Sequence, residues 1–255
     1  MYNDIIKKNK LRIWLDLSTY CNAACPQCHR TNPDGLGKVD WLPLIQWDLK
    51  QFQKAFPKMN FIREFEFCGS WGDPAMNKEI YEICEYIINN SEARIMIKTN
   101  GSMREGEFWW DLGVLCGNRL DVEFAVDGTT QEMHAKYRQK TELAKVLEHL
   151  EIVAQTNARA LVFTVLFKHN EDKIYDIAKM VYDLGAKKIS LTPSNRFVLH
   201  HNTSLVETLQ NFHYIKNNKN EKLKKSKLEW GWKSYHLTEK FIEKLKNEKI
   251  SKRLV

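Results

Sequence analysis

Cys21, Cys25 and Cys28 stand within eight positions of one another, in the stretch Cys21-Asn22-Ala23-Ala24-Cys25-Pro26-Gln27-Cys28-His29. Three thiols at this spacing can turn their sulfurs onto one face of a compact metal centre, and the loop offers no obvious fourth protein ligand. A metal with an open position can do chemistry, whereas a fully ligated one usually holds a fold together. Zinc bound by the three thiolates and His29 is the competing reading. Structural zinc sites bring two ligand pairs from separate knuckles, however, and His29 directly beside Cys28 is cramped for that role.

Further short runs carry residues fit for a site: Cys68-Gly69-Ser70-Trp71-Gly72-Asp73-Pro74, Lys98-Thr99-Asn100-Gly101, and Val126-Asp127-Gly128 with His134 and Arg138 beyond it. Glycine lets backbones approach closely and proline sets a turn, but each run alone is an ordinary turn signal. Cys68 reads as a cavity-lining thiol; Cys84 and Cys116 read as core residues, the usual fate of free cysteine. His134, His169, His200 and His201 carry no signal of their own.

The elements that must position these groups follow a repeat. Strand patterns occupy residues 11–18, 61–68, 94–99, 121–126, 160–167 and 188–192, and helix patterns lie between them at 41–56, 77–89, 105–116, 141–155 and 172–184. The first helix is expected to bury Trp41, Leu44, Ile45, Leu49 and Phe52 as one stripe. Six strand–helix repeats imply parallel strands joined by right-handed crossovers. The strands alternate, with Ile13, Leu15, Leu17, Phe65, Phe67, Ile95, Ile97, Val122, Phe124, Val126, Phe163, Val165, Ile189 and Leu191 expected on one face. Central strands of a two-sided sheet read instead as continuous apolar runs. The expected fold is therefore α/β, a partial (β/α)6 TIM-like barrel with helices outside and a polar interior. Glu66, Lys98, Glu123, Thr164 and Thr192 are the candidate cavity residues, with Lys98 paired to Glu66 because buried charges need partners.

Residues 1–200 are expected to form the barrel, and residues 201–255 a basic, helical C-terminal extension. The extension reads as a helix over 205–216, a Lys/Asn-rich link, an aromatic knot (Trp230, Trp232, Tyr235) and an amphipathic helix with Phe241, Ile242 and Leu245. Of the net charge of +7, all resides in 201–255. The neutral barrel argues against a general nucleic-acid binder, which needs a basic surface where its substrate lies. Six cysteines, three of them scattered, do not form a disulfide framework, and no signal-peptide pattern or run of about 18 apolar residues occurs. A cytoplasmic protein is expected, without membrane contact.

Taken in order, the motifs at the strand ends resemble those of the radical S-adenosylmethionine (radical SAM) enzymes over about residues 11–196. The cysteine spacing is the specific element, and Gly72-Asp73-Pro74 is similar to that family's Gly-Glu-Pro turn. The resemblance implies a [4Fe-4S] cluster on Cys21, Cys25 and Cys28, with S-adenosylmethionine completing it. It further implies that backbone at Gly72 and Asp73 meets the methionine amino group, and that Asn100, Asp127 and Arg138 serve the ribose and carboxylate. The pattern is similar to that of the SPASM/twitch peptide-modifying members, which implies a peptide or small-molecule substrate and a reductase or flavodoxin-type electron donor. Two departures stand out. Gln27 occupies a position that is usually aromatic, and no cysteine follows Cys116, so this chain cannot build an auxiliary cluster unless a partner supplies it. The alternatives are an RNA- or nucleotide-modifying enzyme and a non-catalytic iron–sulfur protein.

Overall fold

A computed structural model describes residues 11–32, 37–194, 214–216, 222–224 and 233–247. Six strands alternate with helices. They are β1 (Leu11–Leu15), β2 (Ile62–Phe67), β3 (Arg94–Thr99), β4 (Leu120–Ala125), β5 (Arg159–Leu166) and β6 (Lys188–Pro193). The helices are α1 (Leu49–Ala55), α2 (Ile80–Asn90), α3 (Gly106–Cys116), α4 (Gln131–Ala135), α5 (Leu143–Ala154) and α6 (Ile174–Asp183). Two short strands, β7 (Tyr214–Lys216) and β8 (Lys222–Lys224), form a separate antiparallel pair. β9 (Lys233–His236) and α7 (Glu239–Asn247) follow. The main sheet runs β1-β2-β3-β4-β5-β6-β9, parallel except for the antiparallel β6–β9 pair. It is open, so the fold is a partial barrel. Among the described residues no helix is long and apolar enough to cross a membrane.

Burial of one sheet face under the helices drives the assembly. Phe65, Phe67, Ile95, Ile97, Val122 and Phe124 are sealed beneath Ile83, Ile87, Trp109, Leu112, Val146, Leu150, Ile177 and Val181, with Cys84 and Cys116 in the same core. α7 realises the expected amphipathic helix: Ile242 and Leu245 are buried, and Phe241 stacks on Tyr235 at 5.0 Å. Residues 214–216, expected to end a helix, are strand instead. The expected helix at 205–213, Trp230 and Trp232 lie outside the described residues, and so does the expected domain boundary near residue 200.

Two further expectations are corrected. The helix expected over 41–56 begins only at Leu49, where Asp48 closes a capping box: Asp48 Oδ1 accepts from Gln51 N at 2.7 Å and Gln51 Oε1 from Asp48 N at 3.0 Å. Upstream, Pro43 has no N–H to give a helix. Residues 41–47 form an extended strap held to the end of β1, with Thr19 N donating to Ile45 O at 2.9 Å and Trp47 N to Leu17 O at 3.0 Å. Leu49 and Phe52 reach the core, while Trp41, Leu44 and Ile45 are exposed.

The second correction concerns the parity of β5. Val122 pairs with Ala160 and Phe124 with Val162, so Ala160, Val162 and Thr164 face the helices. Leu161, Phe163 and Val165 then point inward, against expectation. Residues 160–163 are all apolar, so alternation gave no parity; register with β4 decides it. Thr164 is therefore no cavity residue: it is wholly buried and donates from Oγ1 to Val126 O at 2.6 Å.

Elsewhere the inner face is mainly polar, as expected, although Trp14 and Met96, in register with Glu66, also lie on it. Arg12 bridges Glu64 and Glu66 (both 2.5 Å), Lys98 reaches Glu66 at 2.6 Å and Glu123 at 3.9 Å, and Asp121 joins Arg94 to Arg159. Burial pushes the Glu123 carboxyl up, against the pull of Lys98 and Lys188. Thr192 pairs in register with Val165 and shares its inner face. Replacing Thr164 by Val is expected to lower stability by about 1 kcal/mol in urea unfolding, because Val126 O loses its donor, with no change in ligand affinity.

Candidate active site

The chemistry-bearing loops gather at the carboxyl ends of β1 to β5. After β1 the chain passes through Ser18, Thr19 and Tyr20 into the cysteine loop, and the turn after β2 packs directly on that passage. Asp73 N donates to Tyr20 O at 2.7 Å. A Cβ on Gly72 would lie 2.1 Å from Ser18 O, so only glycine lets the two backbones approach so closely.

Asp73 is buried beneath this contact. Its carboxylate accepts from Ala75 N (2.9 Å), Thr99 Oγ1 (2.8 and 3.0 Å), Asn100 N (2.7 Å) and Asn100 Nδ2 (2.6 Å). Burial pushes its pKa up, and these donors oppose the shift. Asn100 Nδ2 also reaches Asn22 Oδ1 at 2.8 Å and Cys21 Sγ at 3.8 Å, while Asn100 Oδ1 accepts from Ser102 N and Oγ. Asn22 Nδ2 returns to Ser102 Oγ at 2.8 Å. The loops after β1, β2 and β3 are thus one hydrogen-bonded unit.

A second unit follows β4. Asp127 is wholly buried; its Oδ2 accepts from Arg138 Nε at 2.6 Å and its Oδ1 from Val165 N at 2.6 Å. Asp127 thus holds Arg138 in place and ties it to β5. Asn100 is similarly occupied with the loop. Burial acts to lower the Arg138 pKa, but Asp127, Cys25 and Tyr137 outweigh it and secure the charge. Its guanidinium lies 5.1 Å from the Tyr137 ring centre. His134 braces the unit: its Nδ1 accepts from Asp127 N at 3.2 Å, and its Nε2 meets Thr141 Oγ1 at 3.0 Å, which donates to Arg138 O at 2.7 Å. Asn170 Nδ2 ties Asp127 O (2.9 Å) to Val165 O (3.0 Å).

The three thiols sit between these units. Cys25 is buried and packs with Ala23, Tyr137, Val165 and Phe167, and Cys21 and Cys28 flank the same cluster. All six cysteines are free. Burial pushes the Cys25 thiol up to about 11, against the nearby Arg138 charge, and pushes Cys21 higher still with help from Asp73 and Cys25. A cation or N–H donor beside a buried thiol favours its ionised form, and Asn100 Nδ2 lies 3.8 Å from Cys21 Sγ while Arg138 stands beside Cys25. Among the described residues no three His, Cys, Asp or Glu side chains form a preassembled single-ion site. Gln27 is buried and accepts a hydrogen bond from Ser194 Oγ after β6, so the loop is also fastened across the sheet.

Cys21, Cys25, Cys28, Gly72, Asp73, Asn100, Asp127 and Arg138 are therefore brought to one end of the sheet. Glu66, Lys98, Glu123 and Thr192 lie on its inner face, and Thr164 lies behind it. Cys68 is half-buried beside Asp16, whose Oδ1 accepts from Ser70 N at 2.9 Å. Asn22, Ser102, Tyr137, Asn170 and Ser194 were not singled out by sequence. Asn22 lies inside the cysteine loop, which could have marked it; the other four stand in no motif.

Two consequences can be measured. Asp127→Asn leaves the buried Arg138 charge without its counterion and is expected to cost on the order of 3 kcal/mol in chemical denaturation. Burial, helped by Arg138, pushes His134 down to about 3 from 6.5. Its contribution to stability is complete above pH 6.5 and is lost as pH falls towards 3, because the unfolded chain takes up the proton first. Its ring-proton resonances should stay in the neutral position from about pH 8 to about pH 5.

No family model matches the chain. A curated relative, the antilisterial bacteriocin subtilosin biosynthesis protein AlbA of Bacillus subtilis (strain 168), is 24% identical over 184 residues, covering 71% of this chain and 38% of AlbA. Among solved structures, Streptococcus suis SuiB bound to S-adenosylmethionine superposes with a TM-score of 0.56 at 11% identity, over 74% of this chain and 43% of SuiB. SuiB has also been solved with its precursor peptide SuiA. Native anSMEcpe with bound AdoMet gives 0.54 at 17% identity, over 79% and 57%. The chain thus spans well under two thirds of each of these proteins, and the structural likeness is one of fold. In its ordered motifs, its relative and its fold, the chain is similar to the radical SAM enzymes.

Proposed function

We propose that Cys21, Cys25 and Cys28 hold a [4Fe-4S] cluster whose remaining iron is taken by S-adenosylmethionine, and that the substrate is a peptide. The observation that carries this reading is the gathering of three free thiols around Cys25 at the strand ends, with Asn100 Nδ2 directed at one sulfur and Arg138 beside another. When bound, the pair supplies one-electron cleavage of the sulfonium to a 5′-deoxyadenosyl radical that takes hydrogen from the substrate.

The protein's own residues bind and orient. Donors to cluster sulfurs favour the reduced state, which is the role of Asn100 and Arg138. Arg138 is gripped through Nε by Asp127, and its fixed positive charge suits the carboxylate of the methionine portion. The turn at Gly72 and Asp73 lies against Tyr20, one residue before Cys21, in position to meet the amino group with backbone. Phe163 and Val165 give the cavity an apolar wall near the thiols, while Glu66, Lys98, Glu123 and Thr192 give it a polar floor. A peptide offers side chains for the wall and amides for the floor. AlbA's part in making subtilosin and the precursor peptide bound to SuiB support the same class. The electron comes from a reductase or flavodoxin-type donor, in the reducing cytoplasmic setting that six free thiols suit.

Anaerobic purification is expected to give a brown protein with about four irons per chain. With S-adenosylmethionine and dithionite it should release 5′-deoxyadenosine, and Cys25→Ala should not. A colourless protein carrying zinc and no iron would refute the proposal. Iron without 5′-deoxyadenosine above the Cys25→Ala background would make it a non-catalytic iron–sulfur protein.

A further inference from the structure

Trp41, Leu44 and Ile45 are 65%, 44% and 60% exposed, yet they do not lie on a loose loop. The strap that carries them is fastened to the end of β1 by the bonds from Thr19 N to Ile45 O and from Trp47 N to Leu17 O. Ile45 N also donates to Thr19 Oγ1 at 2.8 Å, and Tyr20 Oη to Leu44 O at 3.5 Å. Trp41 stands edge-on to Trp71, with ring centres 5.3 Å apart, and Trp71 lies 6.2 Å from the His29 ring. His29 follows Cys28 in the chain and Tyr20 precedes Cys21. The patch is thus the surface to which two of the three candidate ligands are covalently adjacent.

A rigid apolar patch of this kind marks an interaction surface, and tryptophan and tyrosine are the residues that anchor one. Its borders are mainly cationic. Arg30 Nε donates to Thr19 O at 3.0 Å, Lys38 Nζ to Val39 O at 2.8 Å, and Lys78, fixed by its N–H to Gln46 Oε1 at 3.1 Å, is exposed; against these three stand the exposed Asp40 and the half-buried Asp16, whose Oδ1 accepts from Ser70 N at 2.9 Å and Trp71 N at 3.3 Å. Electron transfer falls steeply with distance, so a donor protein must dock where the cluster's ligands come near the surface. Encounters of that type use small interfaces and are steered by charge.

We propose that Tyr20, Trp41, Leu44, Ile45 and Trp71 form the landing site of a small acidic flavin-bearing carrier of one electron. This rests on the cluster reading given above. One electron leaves the reduced flavin, which is thereby oxidised by one electron, and the iron–sulfur group takes it up. The rings of Trp41, Trp71 and His29 shorten the gap as packed matter and change oxidation state at no point.

The test uses the full chain loaded with iron and sulfide, and reduced flavodoxin as the probe. Flavodoxin affinity is read by calorimetry, and cluster bleaching in the visible by stopped flow. Trp41→Ala and Ile45→Ser, both at exposed positions, should each weaken flavodoxin binding roughly tenfold and slow flavodoxin-driven bleaching below saturation by a similar factor. Lys78→Glu should slow it in a salt-dependent manner. Dithionite is a small anion that needs no docking surface, so its rate should not change. Unchanged flavodoxin kinetics in the variants would overturn the proposal, as would equal slowing with both reductants. Unchanged kinetics together with a loss of self-association in sedimentation would reassign the patch to contact between copies of this chain. Iron content separates the two readings. A chain that takes up no iron overturns the cluster and the landing site together, whereas a full cluster with indifferent variants overturns the landing site alone.

Discussion

A buried carboxylate must have its acceptor capacity met by the protein, and Asp73 meets this demand with four donor groups, one from its own turn and three from Thr99 and Asn100 after β3. Because Asn100 is one of these donors and also reaches Asn22 and Cys21, the position of the first cysteine is set by a residue some fifty positions away in sequence. Asp127 repeats the principle after β4, where its ion pair with Arg138 places a permanent cation beside Cys25. Two unpaired negative charges would be intolerable in this setting. Satisfied, they serve as the rivets that join five strand ends into one site.

The sheet beneath is divided between two kinds of side chain for a related reason. The helix-facing side is apolar and closed, and supplies the hydrophobic stabilisation. The inner side carries charges that neutralise one another from Arg12 through Glu66 and Lys98 to Glu123. The inward apolar stripe of β5 interrupts that row next to the thiols. A reactive end with apolar walls and a charged floor is a consequence of which strand happens to present which parity.

Much of the architecture was legible in sequence because its signals are local. The strand and helix repeats, the cysteine loop, and the Lys98–Glu66 pair all follow from periodicity or from charges on neighbouring strands. The misread segments are those in which local signals were ambiguous. Residues 41–47 have the apolar spacing of a helix, but Pro43 and the Asp48 cap delay its start, and pairing with residues 17–19 beyond β1 is a long-range event. Residues 160–163 present apolar side chains to both faces, so their parity depended on a partner strand.

Composition and spacing by themselves determined that three thiols lie together after the first strand, that glycine and acid-bearing turns follow the next strands, and that an α/β barrel must carry them. Those features depend on nearest neighbours and on a period of two or of about 3.6 residues. Tertiary structure alone decided what each polar group does. It paired Asp127 with Arg138, put Thr164 on the helix-facing side of the sheet, gave Gln27 a partner in Ser194, and turned the expected buried stripe of Trp41, Leu44 and Ile45 into an exposed patch. The physical reason is that a hydrogen bond or an ion pair is satisfied by whichever group the fold brings within reach, and no pattern along one segment specifies that group.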